Sequence, residues 1–421
     1  MKRQYFIFSN GRLLRRDNTI YLHQYAEERE DGDEISLEDA AEQNGCVLED
    51  LGIDNGEVNS KGSAINDPGG EDSAAIADRV LDVADEDAKE APLEEDAQPQ
   101  AESSTFSTED QRAVLHKRPI PVHDIEALYL FGEMDINTKL LNFAARHKIP
   151  IHVFNYFGFY SGTFYGREEV NSGFLLVKQV EHYSSLHKRL QIARAFVEGA
   201  SFNILKNLKY YGSASRGRDL SAFIERVETE RLKIATARDI NILMGVEGAI
   251  RAAYYAAWPL ILSAPWAEFT KRVKRPPDNP VNALVSFGNS LCYTLALGEI
   301  YRTPLSPLIS FLHEPGARRY SLSLDLAEIF KPILCDRIIF KLINNGELGP
   351  KHFDEKLNFC YLKESGRKIF LQEWDERLKQ TIEHRNLGRK VSYRRLVRLE
   401  CYKLEKHVMG MKDYEPFKIW W

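Results

Sequence analysis

FLHEPGARRYSLSLDLAEIFKP, residues 311–332, is the stretch from which the rest of the chain is best read. It runs from His313 through a short basic loop, with Arg318 and Arg319, to two carboxylates three residues apart, Asp325 and Glu328. Imidazole plus carboxylate oxygens is a donor mixture that suits a divalent metal working on phosphate. A plainer reading stands beside it. Asp followed three residues later by Glu, ahead of an apolar run, is an N-cap with its reciprocal partner, and predicts a helix over 325–343. That spacing puts both carboxylates on one face of the first turn, so one can bind metal while the other caps the helix or orients a ligand. A lone histidine beside Phe311 and Leu312 also has an ordinary packed reading.

The flanking sequence is helical in pattern. Tyr183, Leu186, Leu190, Ala193 and Val197 recur at helix spacing, and longer helical patterns cover 241–262 and 281–301. The first of these carries Glu247 in GVEGAIRAAYYAAW, between Gly245 and Gly248, which leave room for a backbone or a ligand to approach. Its plain reading is an i,i+4 ion pair with Arg251. A last helix is expected from near Ser392 to about His407. Arg385, Arg389, Lys390, Arg394, Arg395 and Arg398 crowd its start, where the helix dipole favours anions and leaves cations uncompensated. Either this is a solvated basic face, or a phosphate backbone supplies the missing charge.

The N-terminal part is built differently. Tyr5–Phe8, Leu13–Leu14 and Thr19–Leu22 read as strands of a small antiparallel sheet, with Asn10-Gly11 and Asp17-Asn18 as turns. Residues 125–131, 151–156 and 159–165 read as further strands, and Asn137-Thr138 caps a short helix. Between the two groups lies an acidic run. Residues 27–110 hold 28 acidic and four basic side chains, a charge of −24. The remaining residues therefore carry +18, which the overall −6 and pI of 6.1 conceal. A basic core of that size suits a polyanionic partner. The acidic run, with Phe106 as its one aromatic from 26 to 112, cannot bury enough apolar surface to order itself, so disorder is expected. It reads as a solvated insertion or, more sharply, as an internal DNA mimic or partner-docking segment.

Five widely spaced cysteines with no CxxC pair speak against structural zinc and a disulfide scaffold and fit a reducing cytoplasm. The longest nearly apolar run, 252–262, is too short to span a bilayer, so no membrane role is expected.

Taken in order, GVEGAIRAAYYAAW, DNPVNALVSFGNSL, SPLISFLHEPGARRYSLSLDLAEIFKP, RRLVRLECYKL and PFKIWW resemble the CRISPR-associated DNA endonuclease and integrase family, the universal adaptation subunit. YFIFSNGRLLRRDNTIYL and RPIPVHDIEALYLFGEMDINTKLLNF resemble its β domain. The resemblance covers nearly all the chain outside the acidic run. It implies an α+β architecture: a β-rich domain made of 1–25 and 117–168, interrupted by the insertion 26–116, then an all-α catalytic domain over 169–421. It implies a homodimer that assembles with a small ferredoxin-like partner subunit and acts on double-stranded DNA, joining a foreign fragment to a CRISPR repeat. The family's metal ligands match Glu247, His313 and Glu328, for Mg²⁺ or Mn²⁺, with Asp325 as a supporting or auxiliary group. Lys331 matches a basic residue that faces DNA, and Arg318, Arg319, Arg385, Arg389, Arg394, Arg395 and Arg398 are candidates for phosphate contacts. The insertion departs from the family's short hairpin connection. Two other readings remain: a metal nuclease for branched DNA in repair, and a non-catalytic dimeric DNA-binding scaffold.

Overall fold

The computed structural model describes residues 2–25, 114–155, 157–166, 170–273, 276–316, 320–356, 359–384 and 387–420. The expected disorder of the acidic run lies outside them, except that 114–116 already belong to a strand.

The N-terminal strands are β1 (Arg3–Ile7), β2 (Gly11–Arg16), β3 (Thr19–Tyr25), β4 (Val114–Pro121), β5 (Ile125–Leu130) and β6 (Met134–Ile136). Helix α1 (Thr138–Arg146) follows, its N-terminus capped by Asn137 Oδ1 on the Leu140 amide, and then β7 (Ile151–Phe154) and β8 (Tyr160–Phe164). They form two four-stranded sheets rather than one antiparallel sheet, ordered β1-β5-β7-β8 and β4-β3-β2-β6. The expected Asn10-Gly11 hairpin does not form. Strands β1 and β2 belong to different sheets, and β1 pairs in parallel with β5. Gly11 is needed for close approach instead, since a Cβ there would lie 2.1 Å from the His23 carbonyl oxygen. Asn10 Oδ1 accepts from the Glu133 amide, fastening this corner to the loop before β6. The Asp17-Asn18 turn does form, joining β2 to β3, with Asp17 at φ 53°.

Strand β5 is buried on both faces, which is why IEALYLF reads as an apolar run. Ile125, Leu128 and Leu130 pack with Leu13, Ile20 and Phe143, while Ala127, Tyr129 and Phe131 join the core of the helical region. His152 on β7 lies on that second side, 1% exposed and 2.8 Å from Thr163 Oγ1 through Nδ1. Burial, aided by Arg302 and Arg394, pushes its pKa down from 6.5 to about 3. Between those values the unfolded chain binds a proton that the folded chain refuses. Stability present above pH 6.5 is therefore lost as pH falls toward 3. His152→Gln is expected to flatten the acid limb of a stability–pH profile in that window, by up to about 1.4 kcal/mol per pH unit. An unchanged slope in urea titrations across the window would count against a neutral buried ring.

The helices are α2 (Gly173–Ser184), α3 (Leu186–Tyr211), α4 (Ser221–Leu232), α5 (Ile240–Ala256), α6 (Trp258–Ile261), α7 (Pro280–Ile300), α8 (Ser321–Lys331), α9 (Arg337–Asn344), α10 (Glu364–Lys379) and α11 (Tyr393–Val408). The region is not all helical. Two hairpins, β9 (Phe353–Lys356) with β10 (Phe359–Leu362) and β11 (Thr381–His384) with β12 (Arg389–Ser392), interrupt it. Ser392 caps α11 on the Arg395 amide, as expected.

Helix α8 lies at the centre, all eleven of its residues buried against α3, α7 and α11. It starts at Ser321, not at Asp325, and passes through a π turn at Pro332–Asp336 into α9. Pro332 has no N–H for the helical ladder and its ring crowds the preceding turn, so the turn widens there. Side chains satisfy carbonyls along the kink. Asn203 Nδ2 donates to Ile329 O at 2.9 Å, Asn207 Nδ2 to Pro332 O at 2.7 Å, and Arg377 Nη2 to Ile333 O at 2.9 Å. Asn203 also binds the segment after α11, accepting from the Ile419 amide at 2.9 Å, and Phe417 stacks on Phe330. The helix that carries three of the candidate site residues, Asp325, Glu328 and Lys331, is thus pinned along its length.

Candidate active site

Asp239 caps α5 on the Ile242 amide, and Leu243, Val246, Ile250, Ala253 and Tyr254 bury one face of the helix. Glu247 stands beside that stripe. A Cβ at Gly245 or Gly248 would meet nothing within 4 Å, so these glycines admit no neighbouring backbone; they leave the ground beside Glu247 open. Glu247 Oε1 accepts from Arg251 Nε at 2.5 Å, one turn on. The same guanidinium contacts Glu328 on α8 through Nη2. Glu328 Oε1 accepts from Lys331 Nζ at 2.6 Å, and that ammonium also donates to the Tyr293 hydroxyl at 2.5 Å. Glu247 and Glu328, 81 positions apart in sequence, therefore share one guanidinium in a mostly buried setting.

One turn earlier on α8, Asp325 is wholly buried and does not cap its own helix. It caps the 311–313 loop. Its Oδ2 accepts from the Phe311 and Leu312 amides at 2.7 and 2.9 Å, and its Oδ1 from the His313 amide at 2.9 Å. Oδ1 also lies 2.8 Å from His313 Nδ1, an arrangement that puts the ring proton on Nδ1 and leaves Nε2 for a ligand. Ser310 Oγ closes the loop by donating to the His313 carbonyl at 2.6 Å.

Among the described residues no three His, Cys, Asp or Glu side chains form a cluster that would hold a metal. Arg251 lies between the two glutamates. The donor set nonetheless fits a divalent cation: two carboxylates converge on one positive group, and an imidazole is held by a carboxylate through its other nitrogen.

Asp336, in the π turn, was not singled out by motif, although a lone carboxylate in ILCDRIIF is the kind of signal that marks one. It is 2% exposed, faces the Tyr254 hydroxyl, and is pushed up to about 7 by burial against the opposing pull of Arg251 and Lys331.

The expected DNA-facing residues divide. Lys331 is 4% exposed and committed to Glu328 and Tyr293, so it does not face outward; burial inside the helix packing overrides the expectation. Arg394 and Arg398 are likewise committed. With Arg302 they surround Glu126 of β5 and Glu299 of α7, joining α11 to both. Burial opposes it, but Arg302, Arg394 and Arg398 hold the Glu126 carboxyl below its usual range. Arg389 is exposed on β12 and Arg395 half-buried on α11; Arg318, Arg319 and Arg385 lie outside the described residues. Arg398→Ala leaves Glu299, 3% exposed in its side chain, short of its nearest cation, and is expected to cost about 3–5 kcal/mol in urea unfolding. Arg389→Ala should stay within about 0.5 kcal/mol of wild type. An unchanged urea midpoint for Arg398→Ala together with weakened DNA binding would return that residue to the phosphate-facing set.

The profile for CRISPR associated protein Cas1 matches residues 94–376. The CRISPR-associated endonuclease Cas1 of Fusobacterium nucleatum subsp. nucleatum is 50% identical over 305 residues, 72% of this chain and 89% of that protein. The chain belongs to the Cas1 family. A Cas1 protein from Thermotoga maritima has the same fold at 30% identity, with a TM-score of 0.69 over 98% of both chains. A casposase bound to integration product shares the fold at 15% identity, TM-score 0.68, over 99% of this chain and 93% of that one. As in the motif reading, the Cas1 fold here combines N-terminal strands with a mainly helical C-terminal region. Among the described residues no helix is long and apolar enough to cross a membrane.

Proposed function

We propose that this Cas1 protein is a metal-dependent DNA integrase and endonuclease that inserts short foreign fragments into a CRISPR array. The observation that carries the proposal is the meeting of Glu247 and Glu328 on one guanidinium, with His313 held by Asp325 one turn away on α8. Glu247, Glu328 and His313 Nε2 would hold Mg²⁺ or Mn²⁺. Such an ion supplies Lewis acidity that activates the attacking oxygen and offsets charge building on the phosphate.

In the joining reaction, the 3′-hydroxyl of the fragment bonds to phosphorus at the repeat edge, and the repeat strand's own P–O bond breaks, leaving a new 3′-hydroxyl. With water as nucleophile the same site is a nuclease. Asp325 fixes the His313 ring and its tautomer, and Lys331 orients the Glu328 carboxylate. Arg389 and Arg395, with Arg318, Arg319 and Arg385, are assigned to phosphates, where they position the duplex without reading its sequence. The active form is a homodimer assembled with a small ferredoxin-like subunit.

The test supplies a repeat-bearing plasmid and a short duplex with free 3′-hydroxyls, in Mg²⁺ or Mn²⁺ and in chelator, with the partner subunit present. Joined product in metal only supports the proposal. Cleavage without joining points to a repair-type nuclease, and DNA binding with neither reaction points to a scaffold.

A further inference from the structure

Resting on that reading of Glu247 and Glu328, we propose that Arg251 is a displaceable substitute for the metal, with Asp336 as the group that receives its guanidinium when a divalent cation takes the glutamates.

Two partly buried carboxylates brought together without a cation would repel each other and shed stability. The Arg251 side chain is 15% exposed, and those of Glu247 and Glu328 are 18% and 7% exposed, so water offers the group little screening. Its Nε donates to Glu247 Oε1, and its Nη2 lies in ion-pair contact with Glu328 Oε2. One planar fork thereby sets the spacing of two ligands that come from different helices. Lys331 adds a second positive charge on the far oxygen of Glu328. The pair of glutamates is thus neutralised by the chain's own side chains, Arg251 and Lys331.

That arrangement has a consequence for loading. A divalent ion needs the carboxylate oxygens that the guanidinium now holds, and a cation left between them would repel it. The arginine must move, and it cannot move into apolar packing without a counter-charge. Asp336 supplies one. It is 2% exposed, its Oδ2 has no hydrogen-bond partner among the described residues, and Arg251 and Lys331 are the cations acting on it. Tyr254, three residues after Arg251 on α5, faces the same carboxyl and accepts from Asn207 Nδ2 at 3.1 Å, so the receiving group is itself held in place. Asp336 is the last residue of the π turn at Pro332–Asp336.

Charge accounting agrees. Glu247, Glu328 and Asp336 against Arg251 and Lys331 total −1 when all are ionised. A divalent ion takes the total to +1, and one DNA phosphate returns it to zero. Expelling Arg251 to solvent would break that balance; turning it to Asp336 keeps it.

The test measures Mn²⁺ binding to the full chain, without DNA, by the electron paramagnetic resonance signal of free Mn²⁺. Wild type is compared with Glu328→Gln, Arg251→Met, Asp336→Asn and the Arg251→Met/Asp336→Asn double variant. Removing the competitor should tighten Mn²⁺ binding about tenfold, and removing its receiver should weaken it about tenfold. The double variant should match Arg251→Met, because nothing then needs receiving. Loss of packing alone would not raise metal affinity. A second readout covers poor folding of Arg251→Met: its melting temperature without metal should fall below wild type, while its rise on adding Mn²⁺ should exceed that of wild type. If Arg251→Met does not fold, Arg251→Lys, which cannot fork across both glutamates, should show tighter binding in the same direction. Unchanged or weaker Mn²⁺ binding in the Arg251 variants, with wild-type binding still dependent on Glu328, overturns this inference alone. Equal binding by wild type and Glu328→Gln overturns the ligand assignment and this inference with it.

Discussion

If Glu247 and Glu328 hold the ion as proposed, Glu247→Gln and Glu328→Gln are each expected to lower DNA strand transfer by on the order of 10³-fold, with duplex binding at low salt staying close to wild type. The same loss is expected of His313→Ala. The size follows from the several kcal/mol of charge stabilisation that a correctly held divalent ion contributes at a phosphate, all of which is lost when one ligand no longer fixes it. The glutamine variants matter because Glu328 is buried against two cations: an isosteric amide keeps an oxygen for Lys331 or Arg251, where alanine would leave both facing a cavity. Joined product from a supercoiled repeat plasmid, measured in saturating Mn²⁺, is the readout. Any of the three that retained full activity there would leave the ligand set, and His313 held by Asp325 would then be read as a packed loop histidine.

Asp325→Ala is expected to be the most destabilising single change in the site. Its carboxylate is wholly buried and serves the amides of Phe311, Leu312 and His313 as well as the His313 ring. Each buried donor left without a partner costs about 1–3 kcal/mol, so the sum reaches about 3 kcal/mol or more even if one amide finds water. Asp325→Asn keeps the shape and one acceptor oxygen. It should fold with a smaller loss in urea midpoint, and with activity reduced about 10–100-fold through a less well held His313. Wild-type activity in a stably folded Asp325→Asn protein would show that the charge on this group is irrelevant to the ring it touches.

What the sequence made legible depended on how local the physics was. Asn137 and Ser392 announce their helices because a cap involves residues three apart, and both cap as expected. The run at 125–131 announces a strand, and the burial of both its faces accounts for its unbroken apolar character. The order of motifs from Glu247 to Trp421 carried the family. By contrast, Asn10-Gly11 looked like a turn, but the glycine is required by the His23 carbonyl across the sheet, a partner no local rule contains. Arg394 and Arg398 read as phosphate-contacting residues because their counter-charges, Glu126 and Glu299, come from β5 and α7. Arg251 was visible only as the i,i+4 neighbour of Glu247; its second contact, on α8, exists only once the helices pack. Asp325 shows the same limit in reverse. Its spacing to Glu328 suggested a cap, and it is one, but for a loop rather than for its own helix.

Strands β3 and β4 pair antiparallel with Tyr25 opposite Val114, so the chain leaves one strand and returns on its immediate neighbour after residues 26–113 have passed. Both ends of that segment are fixed at adjacent sheet positions by the same ladder that a short turn would leave. The entropy of closing a loop rises only as the logarithm of its length, roughly 0.6 kcal/mol per doubling. The fold is therefore nearly indifferent to how much chain is inserted there. By that reckoning the β3–β4 junction can take a long or a short connection at little cost to α5 and α8, the helices that carry the two glutamates.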